Sequence, residues 1–152
     1  MSQSPALVGI DPHLLKTLIV LGDYLQDVVL VGGWVPHLYR ALWPAESPVE
    51  PRRTLDLDAA VGGRLRVRHA SRLDAVLARR GYECRLGGAS GPGVQTYEST
   101  ARSDLLPIEF LAPLTGPSEE VTVEIQEGVR AQALRYLNIL LDNTMQVRLS
   151  AP

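Results

Sequence analysis

Cysteine, lysine and aromatic residues are scarce in this 152-residue chain, and each scarcity removes a class of explanation. A single cysteine, Cys84, can form neither an internal disulfide nor a thiolate zinc cluster, which points to a reducing compartment and makes Cys84 a small core residue by expectation. With lysine so sparse, no lysine-bearing phosphate loop is present, and the three-glycine dinucleotide fingerprint is absent too. No apolar run approaches the ~18 residues a membrane span needs. The N-terminus lacks a basic region leading into an apolar run and a small-residue cleavage site, so the expectation is a soluble, cytoplasmic protein with no membrane partner. A formal net charge of −2 gives no global attraction to nucleic acid or anionic lipid. What remains is ordinary charge density and 45% apolar content, enough to bury a core within one domain spanning residues 1–152.

The chain then reads as alternating elements. Asp11-Pro12 resembles a helix N-cap with proline in the first turn, and Leu14, Leu15, Leu18, Ile19 and Leu25 follow helical spacing. Val28 to Val31 is β-branched and apolar, a short interior strand broken by Gly32-Gly33. Trp34 to Trp43 predicts a second helix, and the proline-bearing stretch Pro44 to Arg53 a loop. Leu55 to Val61 is the next strand, and a third helix begins after Ser71 and stops at Gly81. Tyr82 to Leu86 and Val94 to Ser99 flank the Gly87–Gly93 turn as an antiparallel hairpin. Leu105 to Leu111, Val121 to Ile125 and Met145 to Leu149 alternate as strands; the leucines of Leu134 to Leu141 suit a helix, but Asp142-Asn143 also suits a hairpin turn, and the hairpin is the favoured assignment. The pattern predicts an α/β (α+β) fold, a mixed sheet flanked by helices with a strand-rich C-terminal half, rather than a doubly wound parallel sheet.

Two segments carry chemistry. Asp56 and Asp58 stand two apart in an apolar stretch, so on a strand both carboxylates share one face while Leu55 and Leu57 enter the core. Like charges so placed repel unless a cation lies between them, and hard oxygen ligands suit Mg²⁺. A polar edge-strand face is the alternative. Glycines at a strand end let a phosphate approach the backbone, and the following helix start offers a positive dipole end. Glu109, between Ile108 and Phe110, is a third acid delivered by an apolar strand, with Asp104 a nearby competitor.

The order strand, Gly32-Gly33, helix, Asp56-x-Asp58, later acid resembles the polymerase-β-type nucleotidyltransferase superfamily, over about residues 25 to 112. The segments Leu30 to Trp34 and Thr54 to Asp58 are similar to those of minimal bacterial nucleotidyltransferases, including AbiEii-like toxins of toxin-antitoxin systems. The resemblance implies transfer of a nucleoside monophosphate from a nucleoside triphosphate such as ATP to a hydroxyl of RNA, protein or a small molecule. It implies Asp56, Asp58 and Glu109 as catalytic and metal-binding residues for Mg²⁺ (or Mn²⁺), and Gly32, Gly33, Trp34, Arg53 and Thr54 as nucleotide-binding ones. Glu109 departs from the aspartate usual in the family, and the Gly33–Asp56 interval is longer than in its compact members. Family members often carry a further helical region for acceptor recognition, so a partner chain or homo-oligomer is a further expectation.

The other polar residues divide between a sharp and a plain reading. The arginines from Arg64 to Arg85 are either a solvated basic surface or a site for tRNA or another polyanionic acceptor. Trp34 and Trp43 could stack a base, with a core position as the alternative. A catalytically silent domain of the same fold, serving as a nucleotide-binding or protein-interaction module, is the competing functional class.

Overall fold

The computed structural model describes residues 5–7, 9–43, 49–87 and 93–149. Parts of the expected Pro44–Arg53 loop and Gly87–Gly93 turn, and the end at Ser150-Ala151-Pro152, lie outside them. The elements are β1 (Ala6–Leu7), α1 (Pro12–Leu21), β2 (Val28–Val31), α2 (Val35–Leu42), β3 (Leu57–Val61), α3 (Leu73–Arg79), β4 (Tyr82–Leu86), β5 (Gln95–Ser99), β6 (Ile108–Pro113), β7 (Thr122–Gln126), β8 (Val129–Leu134), α4 (Leu137–Asp142) and β9 (Arg148–Leu149). Seven strands form one mixed sheet ordered β2-β3-β6-β5-β4, with β8 also on β6 and β7 on β8. The expected mixed α+β architecture is therefore the observed one.

Strand β6 is the centre of this sheet. It lies parallel to β3 on one side, with Asp58 opposite Glu109. On its other side β5 pairs with its first half, setting Thr96 opposite Glu109, and β8 pairs with its second half. Strand β2 runs antiparallel to β3 and brings Val31 opposite Asp58. Leu57, Ala59 and Val61 face the main core with Leu14, Leu18 and Leu21 of α1 and Leu73 and Leu77 of α3. Ala60 faces the other way, into a smaller cluster with Val31, Leu111 and Leu137 of α4. The period-two alternation of β3 thus sends Asp58 to the face opposite α1 and α3.

Local chemistry explains the helix starts. Asp11 caps α1, its Oδ1 accepting from the His13 N–H at 2.8 Å and the Leu14 N–H at 3.4 Å, with Pro12 in the first turn. Helix α3 has no such cap of its own, because Arg72 precedes it. Buried Gln126 of β7 supplies the acceptor instead, its Oε1 taking the Leu73 N–H at 2.6 Å.

Several expectations need correction. Leu134 to Leu141 is not a hairpin: β8 ends at Leu134, Tyr136 takes a left-handed turn, and α4 follows. The buried Leu137 side chain, packed on Val31, Ala60 and Leu111, decides for the helix by a long-range contact that local turn signals do not carry. Strand β8 was not anticipated at all; it pairs antiparallel with β7 across Gly128. The expected Met145–Leu149 strand shrinks to β9, parallel to β1. Leu55 is not in the core but 88% exposed, because the strand begins at Leu57, whose N–H donates to the Pro107 carbonyl. Trp43 and Cys84 are exposed rather than core, Trp43 stacking on Tyr39 one turn earlier in α2.

Candidate active site

Three carboxylates meet on the sheet face opposite α1. Asp56 lies just before β3, Asp58 is its second residue, and Glu109 comes from the neighbouring parallel strand. Each offers one oxygen such that all three lie within 4.8 Å of one another. Asp56 and Asp58 are half-buried and Glu109 is 6% exposed. Among the described residues no ion pair joins Asp56 or Asp58 to an arginine or lysine. The electrostatic consequence falls on Asp58. Burial, then the charges of Asp56 and Glu109, push its carboxyl up to about 6 from an ordinary 3.8.

The glycine turn is built into this cluster. Gly32 has φ +73°, a left-handed conformation, and a Cβ there would fall deep inside van der Waals contact with the Asp58 carboxylate. A Cβ on Gly33 would strike the Thr54 side chain in the same way. The room left by both missing side chains is thus occupied by the acidic segment itself. Two donors then converge on one carbonyl: the Trp34 indole N–H reaches the Asp56 oxygen at 3.0 Å, and the Thr54 hydroxyl reaches it at 3.1 Å. Trp34 is 3% exposed, so its ring is a wall and a clamp on the backbone of Asp56.

Glu109 has a support that sequence reading missed. The Thr96 hydroxyl on β5 donates to its Oε1 at 2.8 Å, and both side chains are buried. The bond holds the carboxylate plane against rotation. Only the β5–β6 register makes Thr96 its neighbour, and no local signal in Gln95–Ser99 points to it.

Asp104 is turned elsewhere. Lys16 donates to it at 2.8 Å and Arg102 at 2.9 and 3.0 Å, and these cations hold its carboxyl well below the usual range. Arg53 reaches Asp11, Nη1 to Oδ2 at 2.8 Å, tying the segment before Thr54 to the start of α1. Beside it a cavity of about 290 Å³, lined by Asp11, Leu14, Trp34, His37 and Arg53 among others, opens on the helical side of the sheet. The arginines of the 64–85 stretch are mostly paired: Arg64 with Glu124, Arg68 with Asp27, Arg72 with Asp74 and Glu127, Arg85 with Glu83 and Glu98. No helix among the described residues is long and apolar enough to cross a membrane.

The donor set is chemically specific. Three oxygen ligands from adjacent strands, with burial raising the cost of their mutual repulsion, match a hard divalent cation and not a soft one. No curated protein and no solved structure matches the chain. A family model described as Nucleotidyltransferase matches residues 13–151, a span that holds the glycine turn and all three acids. The chain belongs to the nucleotidyltransferase family.

Proposed function

We propose that the protein transfers a nucleoside monophosphate from a nucleoside triphosphate to a hydroxyl acceptor, with pyrophosphate leaving, and that Asp56, Asp58 and Glu109 hold the divalent cation required. The observation that carries this reading is the convergence of three carboxylates within 4.8 Å beside a glycine turn. When bound, Mg²⁺ or Mn²⁺ supplies the positive charge that neutralises the triphosphate and polarises the reacting phosphoryl group. The chain's own residues orient the reactants. The missing side chains of Gly32 and Gly33 make room for Asp58 and Thr54, and the tie between Trp34, Thr54 and the Asp56 carbonyl keeps Asp56 fixed as the substrate enters. Arg53 is the cation nearest in sequence to the acidic pair, and its tie to Asp11 anchors the segment that leads into Thr54 and Asp56. Glu109, oriented by Thr96, accepts the proton of the acceptor hydroxyl as that oxygen forms its bond to the α-phosphorus and the bond to the pyrophosphate oxygen breaks.

The acceptor falls within RNA, protein and small hydroxyl compounds, since none of these is needed to explain the acid cluster. The test is incubation with labelled nucleoside triphosphate, Mg²⁺ and each acceptor class, comparing the parent with Asp56→Asn. Label transfer in the parent and its loss in the variant supports the reading; equal transfer by both would overturn it.

A further inference from the structure

A second cavity, of about 220 Å³, lies among the C-terminal end of α1, the 68–71 turn and the end of α3; Gly22, Asp23, Arg68, His69, Arg79 and Arg80 supply its polar lining. It is remote from the acids. Asp23 precedes β2, whose first residue Val28 pairs with Val61, whereas Val31 at the strand's other end pairs with Asp58. Helix α1 alone separates its capped start beside Arg53 from this cavity by about 15 Å.

The charges here do not cancel. Arg68 is held by both oxygens of Asp27, and His69 Nε2 lies 3.1 Å from Asp23. The Arg79 and Arg80 side chains are exposed and their guanidinium groups form no hydrogen bond or ion pair with another described residue, so two positive charges remain at the rim. The turn that shapes the wall is strained as well. His69 has φ 46° and Ala70 φ 56°, closed by the Ser71 N–H donating to the Arg68 carbonyl at 2.8 Å. Two left-handed positions in succession are the geometry of a turn normally made by Asn-Gly, and His-Ala adopts it only at a cost. The strain holds an imidazole and a fixed guanidinium at one cavity mouth.

We propose that this cavity is an anion site for a phosphoryl group, separate from the three-acid site, with Arg79 and Arg80 as its ligands and His69 as a donor released from Asp23 when the anion arrives. The phosphoryl group belongs either to free inorganic phosphate or to the backbone of a nucleic acid. Both sources present the same oxygens to the same cations.

Calorimetric titration of the full chain with inorganic phosphate, and separately with a single-stranded RNA oligonucleotide, distinguishes the sources. Arg79→Glu/Arg80→Glu is expected to weaken binding at least tenfold, while Arg85→Glu, a paired surface arginine on β4, leaves it within twofold. Asp23→Asn is expected to tighten binding severalfold, a gain that a misfolded variant cannot imitate. Saturation by phosphate with RNA no tighter assigns the site to the free anion. Tighter RNA binding, whose dependence on salt drops by about two phosphate contacts in the double variant, assigns it to a nucleic-acid backbone. No binding of either probe by the parent, or an equal loss in Arg85→Glu, would overturn the proposal. Neither result bears on Asp56 and Asp58, so this site and the proposed transfer reaction stand or fall separately.

Discussion

Two charged regions of this molecule are treated in opposite ways by the fold. Along 64–85, arginines are spread over a turn, a helix and a strand, and most meet a carboxylate from a neighbouring element. Elsewhere on the sheet three carboxylates are gathered within 4.8 Å, and among the described residues neither lysine nor arginine forms an ion pair with Asp56 or Asp58. Exposed ion pairs are worth about 0–1 kcal/mol each and need no functional account. Buried like charges cost stability and need one. The difference locates the site better than charge density would, since the arginine stretch is the more conspicuous of the two in sequence.

The contrast can be broken from the acid side first. Asp56→Asn is expected to lower transfer by roughly 10²–10³-fold or more, because charge stabilisation in a water-poor site is among the largest contributions to rate. Steady-state turnover with fold monitored by circular dichroism checks this. Gly32→Ala comes next: it forces a side chain into a left-handed position and against the Asp58 carboxylate, with an expected cost of about 2–4 kcal/mol in denaturant unfolding and a parallel loss of activity. Thr96→Val removes the donor to Glu109 at nearly constant volume and is expected to cost about 1–3 kcal/mol, chiefly in turnover rather than substrate affinity. A kcat against KM split tests that placement.

The pH dependence of the metal-free protein sharpens the same point. Asp58 titrates at about 6 in the fold, above its ordinary 3.8, so the folded state binds the proton more tightly than the unfolded one. Stability from this group is full below pH 4 and is lost as pH rises through about 6. Asp58→Asn is expected to flatten that fall in thermal melts without metal, and added Mg²⁺ to oppose it in the parent. On the arginine side, Arg85→Glu is expected to change stability by no more than about 0.5 kcal/mol.

How much of this was legible in the sequence follows the range of the interactions involved. The α1 cap at Asp11, the Val28–Val31 strand and the alternation carrying Asp58 outward are local, and their signals lie within a few residues. Local signals leave the helix at Leu137–Asp142 second to a hairpin and give no sign of the strand at Val129–Leu134, because partners distant in sequence decide both: Leu137 docks on Ala60 and Leu111, and β8 on β6. The same holds within the site. The glycine turn and the three acids stand out by their order, but Thr96 beside Glu109, and Trp34 acting on the Asp56 carbonyl, require the register of the sheet. Leu55 misled for a related reason: the alternation extends two residues beyond the strand, and the pairing begins only where Leu57 meets Pro107.

The most direct measurement is calorimetry of a nucleoside triphosphate with the parent and with Asp56→Asn/Asp58→Asn, each with and without Mg²⁺. The account predicts binding by the parent that depends on Mg²⁺ and disappears in the double variant while the fold persists. Binding that is equal in both proteins, or no binding by the parent in the presence of Mg²⁺, would contradict it.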